Sequence, residues 1–179
     1  MADDKNLERT AISAGQLDQL RALLAVILPA NGFYTRKLSG IQTEFATLEE
    51  FCEKTPLTTK EELMADQEAS PPFGTNLTFP LENYTRFHQT SGTTGTPLRW
   101  LDTPGSWQSM VENWVEIFRV AGVGAGDKIY FAFSFGPFLG FWLAFDAAQQ
   151  IGALCVPGGG LSSEGRLKAI LENEITVLC

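Results

Sequence analysis

Between Ile129 and Phe145 the chain reads IYFAFSFGPFLGFWLAF, an apolar run without a charged residue. The run approaches the length that crosses a membrane, but Gly136-Pro137 interrupts it near its middle. Charged residues also flank it on both sides, at Asp127, Lys128 and Asp146. A buried strand, a turn and a buried helix account for the run better than a membrane span does. The run therefore predicts a core of alternating strands and helices.

The same alternation continues beyond this run. Thr103-Pro104 predicts the start of a helix that ends at Gly122. Strands are predicted at 128–133, 153–157 and 175–178, with helices at 138–151 and from a cap at Ser162 or Ser163 through Leu171. This spacing predicts a parallel βαβαβ sheet with right-handed crossovers. Because parallel strands usually lie inside a sheet, the last strand is expected either to be followed by more chain or to be a true edge strand.

The first third of the chain predicts short amphipathic helices. Capping-box spacing occurs at Ser13 with Gln16, Thr47 with Glu50 and Thr59 with Glu62. The polar, proline-rich stretch EASPPFGTNLTFPLEN then predicts a connection. We therefore expect an α/β protein with a helical segment at 1–67, a linker at 68–83 and a partial α/β nucleotide-binding subdomain at 84–179, all parts of one truncated domain.

Charge and residue counts exclude several classes of protein. The net charge is −8 and no run of Lys or Arg occurs, which argues against a nucleic-acid partner. The single histidine, His88, and the three scattered cysteines form no metal-ligand pattern, so no metal site of protein side chains is expected. The acidic, polar start MADDKNLE is not a signal peptide. We expect a cytoplasmic protein with reduced thiols and no membrane partner.

A loop rich in glycine and hydroxyl residues, TSGTTGTP (Thr90–Pro97), lies between strands predicted at 84–89 and 98–101. Gly92 and Gly95 permit positive φ, and successive amides in such a bend can bind an anion. The hydroxyl groups of Ser91, Thr93 and Thr94 add donors for phosphate oxygens. Composition alone favours a surface hairpin rich in turn-forming residues. The Walker pattern and GxGxxG after a strand are both absent.

The order of residues in this loop resembles the phosphate loop of the adenylate-forming superfamily, [ST]SGTTGxP. The wider stretches RFHQTSGTTG, AGVGAGDKIYFAFSFGPF and GALCVPGGG resemble signatures of phenylacetate-CoA ligases and the related deazaflavin-cofactor synthetases. FYTRKL and PLTTKEEL resemble segments near the start of that family. The resemblance covers nearly the whole chain, but only the N-terminal portion of the family, which is less than half of its usual length.

The resemblance implies an ATP-dependent, AMP-forming aryl- or acyl-CoA ligase, an acid-thiol ligase that activates a carboxylate as an acyl-adenylate and then forms a thioester. It implies ATP, Mg²⁺ and coenzyme A, with an aromatic or other small carboxylic acid as substrate. Two alternatives stay open: a non-catalytic nucleotide-binding or assembly fragment, and adenylyl transfer to a deazaflavin cofactor. A homodimer is also left open. The family's later catalytic segments lie outside residues 1–179, so the resemblance assigns no catalytic residue here.

The resemblance also implies roles for individual residues. The expected contacts to the ATP phosphates come from Ser91, Gly92, Thr93, Thr94 and Gly95. The turn Gly158, Gly159 and Gly160 is expected either near the nucleotide or as a plain strand-to-helix turn. The expected substrate pocket is lined by His88, Phe135, Gly136, Pro137 and Phe138, although a lone strand histidine also suits packing. Phe133 and Trp142 are interpreted as core residues.

One departure from the family pattern concerns a cation. Phenylacetate-CoA ligases usually carry lysine where this chain has Thr96, and other branches carry it where this chain has Leu98. Arg99, at the start of the next strand, is the candidate replacement for phosphate binding, with a solvated surface charge as the alternative.

Overall fold

The computed structural model describes residues 2–92 and 95–179, and for residues 2–8 it describes the backbone alone. Contacts along the chain group Met1–Glu82 and Asn83–Cys179 into two compact units. The division at 1–67, 68–83 and 84–179 stays a prediction.

The first unit is helical in the part that the structure describes. Its elements are α1 (Ala2–Ala30), α2 (Gly32–Lys37), α3 (Leu48–Lys54) and α4 (Lys60–Ala69), and a 3₁₀ turn follows at Leu81–Asn83. Leu24, Leu38 and Phe45 form its buried centre, and α1, α2 and α3 supply the apolar residues around them. The predicted helical start of the chain is confirmed.

Helix α1 begins far earlier than the capping pattern predicted. Ser13 lies inside α1 rather than at its first residue, so its assignment as a cap is wrong. The preceding segment contains Asp3, Asp4, Leu7 and Glu8, residues that suit a helix N-terminus and first turns, so the helix extends through Ser13. By length and composition alone, Arg9–Ala30 meets the requirement for a membrane span, which is weak evidence for a helix this near the start of a chain.

The other two predicted caps in this unit are confirmed. The Thr47 hydroxyl accepts a 3.1 Å hydrogen bond from the amide of Glu50. Thr59 accepts from the amide of Glu62 at 3.3 Å, and the Glu62 carboxylate accepts from the amide of Thr59 at 2.8 Å. Both helices therefore start where a side chain satisfies an amide that has no helical partner.

The proline-rich stretch after α4 is tied to the helices of its own unit. Asp66 is buried and accepts from the Thr75 amide at 2.6 Å and from Arg36 at 2.8 Å. Asn31, also buried, donates to Asn76 at 2.9 Å. A methyl group added to Gly74 would lie 2.4 Å from the Asp66 carboxylate, so this approach requires glycine.

The second unit contains five strands and three helices in its described part. They are β1 (Arg86–Gln89), β2 (Arg99–Asp102), α5 (Pro104–Val120), β3 (Lys128–Phe131), α6 (Leu139–Gln150), β4 (Leu154–Pro157), α7 (Ser163–Glu172) and β5 (Val177–Leu178). Strands β4 and β5 both pair in parallel with the central strand, in the order β4-β3-β5. The predicted parallel βαβαβ unit is confirmed, including the strand, turn and helix within the apolar run.

The core of this unit lies on one face of the parallel sheet. Ile129 and Phe131 are fully buried and pack with residues of α5 and α6, among them Trp107, Val111 and Leu143. Tyr130 lies between them in the strand, so its side chain points to the opposite face. The helices α5 and α6 thus cover the face that the alternation of β3 makes apolar.

Strands β1 and β2 form a separate antiparallel hairpin. Arg86 pairs with Asp102 and Gln89 with Arg99, and the hairpin makes no ladder with the parallel sheet. Thr103 caps α5 directly after β2, with Pro104 at the first helical position, as predicted. The hairpin therefore places the glycine-hydroxyl loop at its tip, and α5 returns the chain to the core.

Candidate functional site

The glycine-hydroxyl loop is closed at its base by a pair of hydrogen bonds. The amide of Thr90 donates to the carbonyl oxygen of Leu98 at 3.0 Å. In return, the amide of Leu98 donates to the Thr90 hydroxyl at 3.0 Å. Leu98 is buried, with 4% of its surface exposed. Thr90 therefore serves the closure of the loop, and its hydroxyl is already engaged.

Above this base the loop is exposed and bends at its glycines. Gly92 has φ +67° and Gly95 has φ +146°, so both adopt the backbone region that favours glycine. The Gly95 amide donates to the Gly92 carbonyl at 3.1 Å. Ser91 and Thr96 are exposed to solvent. Thr93 and Thr94, the other two predicted phosphate contacts, lie outside the residues that the structure describes.

A second loop, the aromatic loop Phe135–Phe138, adjoins the base of the first. The amide of Gln89, the last residue of β1, donates a 2.8 Å hydrogen bond to the carbonyl oxygen of Pro137. The indole nitrogen of Trp142 donates to the carbonyl oxygen of Gly136 at 2.8 Å. The aromatic loop follows the carboxyl end of β3, which is where open α/β sheets place ligands. Two of the predicted site segments are thus brought together.

The aromatic residues of this region divide into two groups. Phe135 packs against Phe131, Trp142 and Phe145, with ring centroids 4.7 to 6.1 Å apart. Phe138 instead lies at the start of α6 and touches Phe141 edge-on, at 5.9 Å. The contacts of Phe135 are core contacts, whereas Phe138 lies at the border of the cluster.

His88, the one histidine among the predicted site residues, is buried. It is 3% exposed, and its ring stacks on Trp107 with centroids 4.9 Å apart and an interplanar angle of 10°. Neither imidazole nitrogen has a hydrogen-bond partner among the described residues. Burial lowers the pKa of His88; Asp102 opposes this shift and Arg86 adds to it. The imidazole is therefore held neutral near pH 7.

Three residues that sequence reasoning did not assign to the site form or contact this stack. The carboxylate oxygen Oδ2 of Asp146 accepts from Arg86 at 2.6 Å and from the indole nitrogen of Trp107 at 2.8 Å. The guanidinium carbon of Arg86 lies 4.6 Å from the centre of the Trp107 ring. Arg86 could have been found from the sequence, because it stands two residues before His88 in a predicted strand and so shares its face. Asp146 gave no local signal, since its partners are distant in the chain.

The glycine turn after β4 is packed against the sheet. The Gly158 amide donates to the carbonyl of Phe131 at 2.8 Å, and the Gly160 amide donates to the Ser134 hydroxyl at 3.3 Å. A methyl group added to Gly158 would lie 2.4 Å from the hydroxyl of the buried Tyr130, and one added to Gly159 would lie 3.1 Å from Ser134.

Arg166 of α7 also contacts this turn. It donates to the carbonyls of Gly158 at 3.2 Å and Ala132 at 2.8 Å. These bonds join the end of β3 to the end of β4. Sequence reasoning did not identify Arg166, because its acceptors are backbone carbonyls far away in the chain.

The remaining titratable groups do not form a second reactive or metal-binding site among the described residues. Arg99 begins β2 opposite Gln89 and is half-buried. Cys155 and Cys179 are free thiols, and burial raises the pKa of each, which favours the unreactive protonated form. Among residues 2–92 and 95–179, no cluster of three or more His, Cys, Asp or Glu side chains is placed to hold a metal ion.

The first unit holds a cavity of about 360 Å³ below α1. Leucine residues of α1, with Tyr34, Phe51 and Asn76, line it. It includes no residue of the glycine-hydroxyl loop or the aromatic loop.

Comparison with known proteins identifies relatives of one kind. No family model matches the sequence. The chain is 35% identical over 121 residues to the phenylacetate-coenzyme A ligase of Escherichia coli strain K12, covering 65% of this chain and 26% of that protein. It is 28% identical over 174 residues to the phenylacetate-coenzyme A ligase of Pseudomonas putida, covering 94% of this chain and 38% of that protein. The chain thus spans well under half the length of the curated relatives it matches.

A solved structure shares the fold. The crystal structure of 2-hydroxyisobutyryl-CoA ligase in complex with 2-HIB-AMP and CoA superposes with a TM-score of 0.84 and 27% sequence identity. The match covers 92% of this chain and 36% of that ligase. An open conformation of the same ligase gives a TM-score of 0.81. By sequence and by fold, the chain is therefore a relative of the phenylacetate-CoA ligases among adenylate-forming enzymes and corresponds to their N-terminal portion.

Proposed function

We propose that the chain is the phosphate-binding portion of an ATP-dependent, AMP-forming aryl- or acyl-CoA ligase. In that reaction a carboxylate oxygen attacks the α-phosphate of ATP, which releases pyrophosphate and leaves an acyl-adenylate. The thiol of coenzyme A then attacks the acyl carbon and AMP departs. The 2-hydroxyisobutyryl-CoA ligase that shares this fold binds an acyl-adenylate, 2-HIB-AMP, together with CoA, which supports the proposal.

The observation that carries the proposal is the hydrogen bond from the Gln89 amide to the Pro137 carbonyl, at 2.8 Å. It joins the base of the glycine-hydroxyl loop to the aromatic loop. A ligase of this type must hold the triphosphate and the acyl group side by side, because the carboxylate has to reach the α-phosphate. The loop that suits phosphate and the loop that suits an apolar acyl group are neighbours in this chain.

In this proposal the glycine-hydroxyl loop holds the β- and γ-phosphates. The exposed Ser91 and the bend at Gly92 and Gly95 offer donors and close backbone approach, and the proposal adds the hydroxyls of Thr93 and Thr94. Preorganised donors of this kind stabilise the charge that develops on the departing pyrophosphate. Arg99 supplies the cation that Thr96 and Leu98 do not.

In this proposal Mg²⁺ binds together with ATP. Mg²⁺ usually binds through substrate phosphates and water with few protein ligands, and it would screen the triphosphate charge. The described residues fit that mode, since they hold no ready-made carboxylate cluster.

The acyl group is placed against the aromatic loop. Gly136, Pro137 and Phe138 form the wall, and Phe135 supports it from the aromatic core. A flat apolar wall suits an aromatic acid. His88 is stacked on Trp107, one residue before Gln89, whose amide bonds to Pro137. The hydrogen bonds of Gly158 and Gly160 favour the turn interpretation for residues 158–160, so the proposal gives that turn no phosphate contact.

The sequence leaves a second candidate open, a nucleotide-binding or assembly fragment without catalysis. The chain spans 26% and 38% of the two ligases described above. In this alternative, the 179-residue chain binds nucleotide but forms no adenylate. We further propose a cytoplasmic protein with reduced thiols and no membrane partner. Sedimentation analysis tests the homodimer that the sequence leaves open.

Calorimetry with Mg·ATP and with pyrophosphate tests the phosphate-binding site on the chain itself. We expect both ligands to bind, and we expect Ser91→Ala and Thr94→Val to weaken pyrophosphate binding while circular dichroism stays unchanged. If the wild-type chain binds neither Mg·ATP nor pyrophosphate, the proposal is contradicted.

A pyrophosphate-release assay with ATP, CoA and a panel of aryl acids separates the two candidates. Release that depends on the acid supports the ligase. Binding without release supports the non-catalytic fragment.

A further inference from the structure

The hairpin that carries the glycine-hydroxyl loop has little support of its own. Strands β1 and β2 contain four residues each, and within the described part of the chain they pair only with one another. An isolated two-stranded hairpin is marginally stable at best. The direction in which the loop projects therefore depends on how side chains of the hairpin are held by the rest of the second unit.

Two side chains of β1 reach the same partner. Arg86 and His88 are two residues apart in the strand, so they point to the same face. Both contact Trp107 of α5: His88 stacks on its ring at 4.9 Å, and the Arg86 guanidinium lies 4.6 Å from its centre. Trp107 is only 5% exposed, so this face of β1 packs against a buried indole ring, called the platform below.

One carboxylate oxygen holds this platform and the strand together. Oδ2 of Asp146, in α6, accepts from Arg86 at 2.6 Å and from Trp107 at 2.8 Å. The Asp146 side chain is 22% exposed and that of Arg86 is 37% exposed, so water competes with the contact less than at an open surface. Hydrogen bonds between ionised partners are the stronger kind. A single side chain thus joins β1, α5 and α6.

We propose that Asp146 is a positioning residue for the phosphate-binding loop. It acts through Arg86, the first residue of β1, and through Trp107, which stacks on His88 one residue before the strand end from which the loop departs; it does not touch the phosphates. This inference rests on the proposed function for its ligand. Its structural part, that Asp146 determines the order of the loop base, stands without any ligand.

Hydrogen exchange tests the structural part. The variants are Asp146→Asn, which removes the charge, and Arg86→Met, which removes the donor and keeps the aliphatic stem. We expect faster exchange at the amides of Gln89, Thr90 and Leu98, which form the loop base. Exchange at Gly158 and Cys179, whose amides bond to Phe131 and Tyr130 of β3, should not change.

A matched control removes another ion pair from the same unit. Lys128 and Glu174 lie 3.1 Å apart, with Lys128 at the amino end of β3 and thus at the strand end opposite the aromatic loop. Glu174→Gln should leave exchange at the loop base unaltered. Unchanged exchange at Gln89, Thr90 and Leu98 in Asp146→Asn would overturn the inference, whatever the chain binds.

Pyrophosphate calorimetry tests the functional part, at a temperature where every variant is folded by circular dichroism. We expect Asp146→Asn and Arg86→Met each to raise the Kd about tenfold with unchanged stoichiometry, because the loop donors are misplaced. The double variant should lose little more affinity for pyrophosphate than either single variant, since both substitutions break the same contact. Trp107→Phe keeps an aromatic ring beneath Arg86 and His88 but loses the indole donor and part of the buried ring; because the contact between Asp146 and Arg86 remains, its effect should be smaller.

The pattern of results separates the two proposals. Because every variant is folded under these conditions, a purely structural role would leave both the Kd and the stoichiometry unchanged; that result overturns the positioning role. If the wild-type chain binds no pyrophosphate, the proposed function fails, and the exchange data alone decide whether Asp146 orders the loop base.

Discussion

The amide of Gln89 donates a 2.8 Å hydrogen bond to the carbonyl oxygen of Pro137. The two residues stand far apart in the sequence, one at the end of β1 and the other in the aromatic loop after β3. Their contact makes neighbours of a loop suited to phosphate and a loop suited to an apolar group. The predictions below test that arrangement and the local structure that supports it.

Restoring the loop lysine should strengthen phosphate binding. Thr96 is exposed and stands where phenylacetate-CoA ligases usually carry lysine. For Thr96→Lys we expect the Kd for pyrophosphate to fall by up to about tenfold at low salt, because a charge-assisted contact is added. The gain should shrink as salt screens it. Calorimetry at two ionic strengths measures both effects.

Gln19→Lys provides the control for Thr96→Lys. It adds the same charge at an exposed position of α1 in the first unit and should leave pyrophosphate binding unchanged. An equal effect of the two variants would mean that overall charge, rather than the loop, is responsible.

Gly158 should tolerate no side chain. A methyl group there would lie 2.4 Å from the Tyr130 hydroxyl, and Tyr130 is fully buried on the central strand. We expect Gly158→Ala to lower the free energy of unfolding by about 1–3 kcal/mol through overpacking. At Gly124 a methyl group meets nothing within 4 Å, so Gly124→Ala should change stability by less than about 0.5 kcal/mol. Urea denaturation compares the pair, and equal losses would exclude the packing explanation.

The two serine and threonine sites that resembled helix caps should behave differently. Thr59 accepts from the amide of Glu62, so Thr59→Ala should cost about 1 kcal/mol of stability. Ser13 lies inside α1, so Ser13→Ala should be neutral or stabilising by a few tenths of a kcal/mol, about the difference in helix propensity. Urea unfolding followed by circular dichroism measures both. A loss at Ser13 as large as that at Thr59 would contradict the long first helix.

Stability should fall in mild acid because of His88. Burial lowers the pKa of His88 in the folded protein, so the unfolded chain binds the proton more tightly. Protonation therefore favours unfolding, and stability is lost as the pH falls below the unfolded value of about 6.5 toward the lower folded value. Arg86 and Asp102 are the charged groups that act on this imidazole, with Asp102 opposing the shift.

Urea midpoints between pH 7.5 and pH 5 test the role of His88. We expect the wild-type midpoint to decrease over this range and the His88→Phe midpoint to stay nearly constant, since the aromatic stack on Trp107 remains and the titrating group is gone. A wild-type midpoint that is flat over this range would show that the imidazole takes up its proton in the folded state.

Local sequence patterns predicted most of the secondary structure. The caps at Thr47, Thr59 and Thr103 were correctly predicted, because each depends on a hydrogen bond spanning three residues. The apolar alternation of β3 predicted a buried central strand, since the period of side chains is a property of the backbone itself. Ser13 was misjudged for the same reason: a capping pattern is short, and it does not reveal whether the residues before it are also helical.

Contacts between residues far apart in the sequence could be identified only in the folded chain. Asp146 appeared in the sequence as the charged end of an apolar run, and Trp107 as one residue of an apolar helix face. Only packing of α5 and α6 on β3, with the hairpin over them, brings their side chains to Arg86 and His88. Likewise, only the folded chain shows that the hydroxyl of Thr90 accepts from the Leu98 amide and closes the base of the loop.

The sequence by itself determined the parallel α/β unit, the position of the glycine-hydroxyl loop and its likeness to a phosphate loop, because period, turns and residue order are local properties. The tertiary structure decided which loops meet and which donors are already engaged. Those outcomes depend on contacts between segments dozens of residues apart, whose geometry no local pattern encodes.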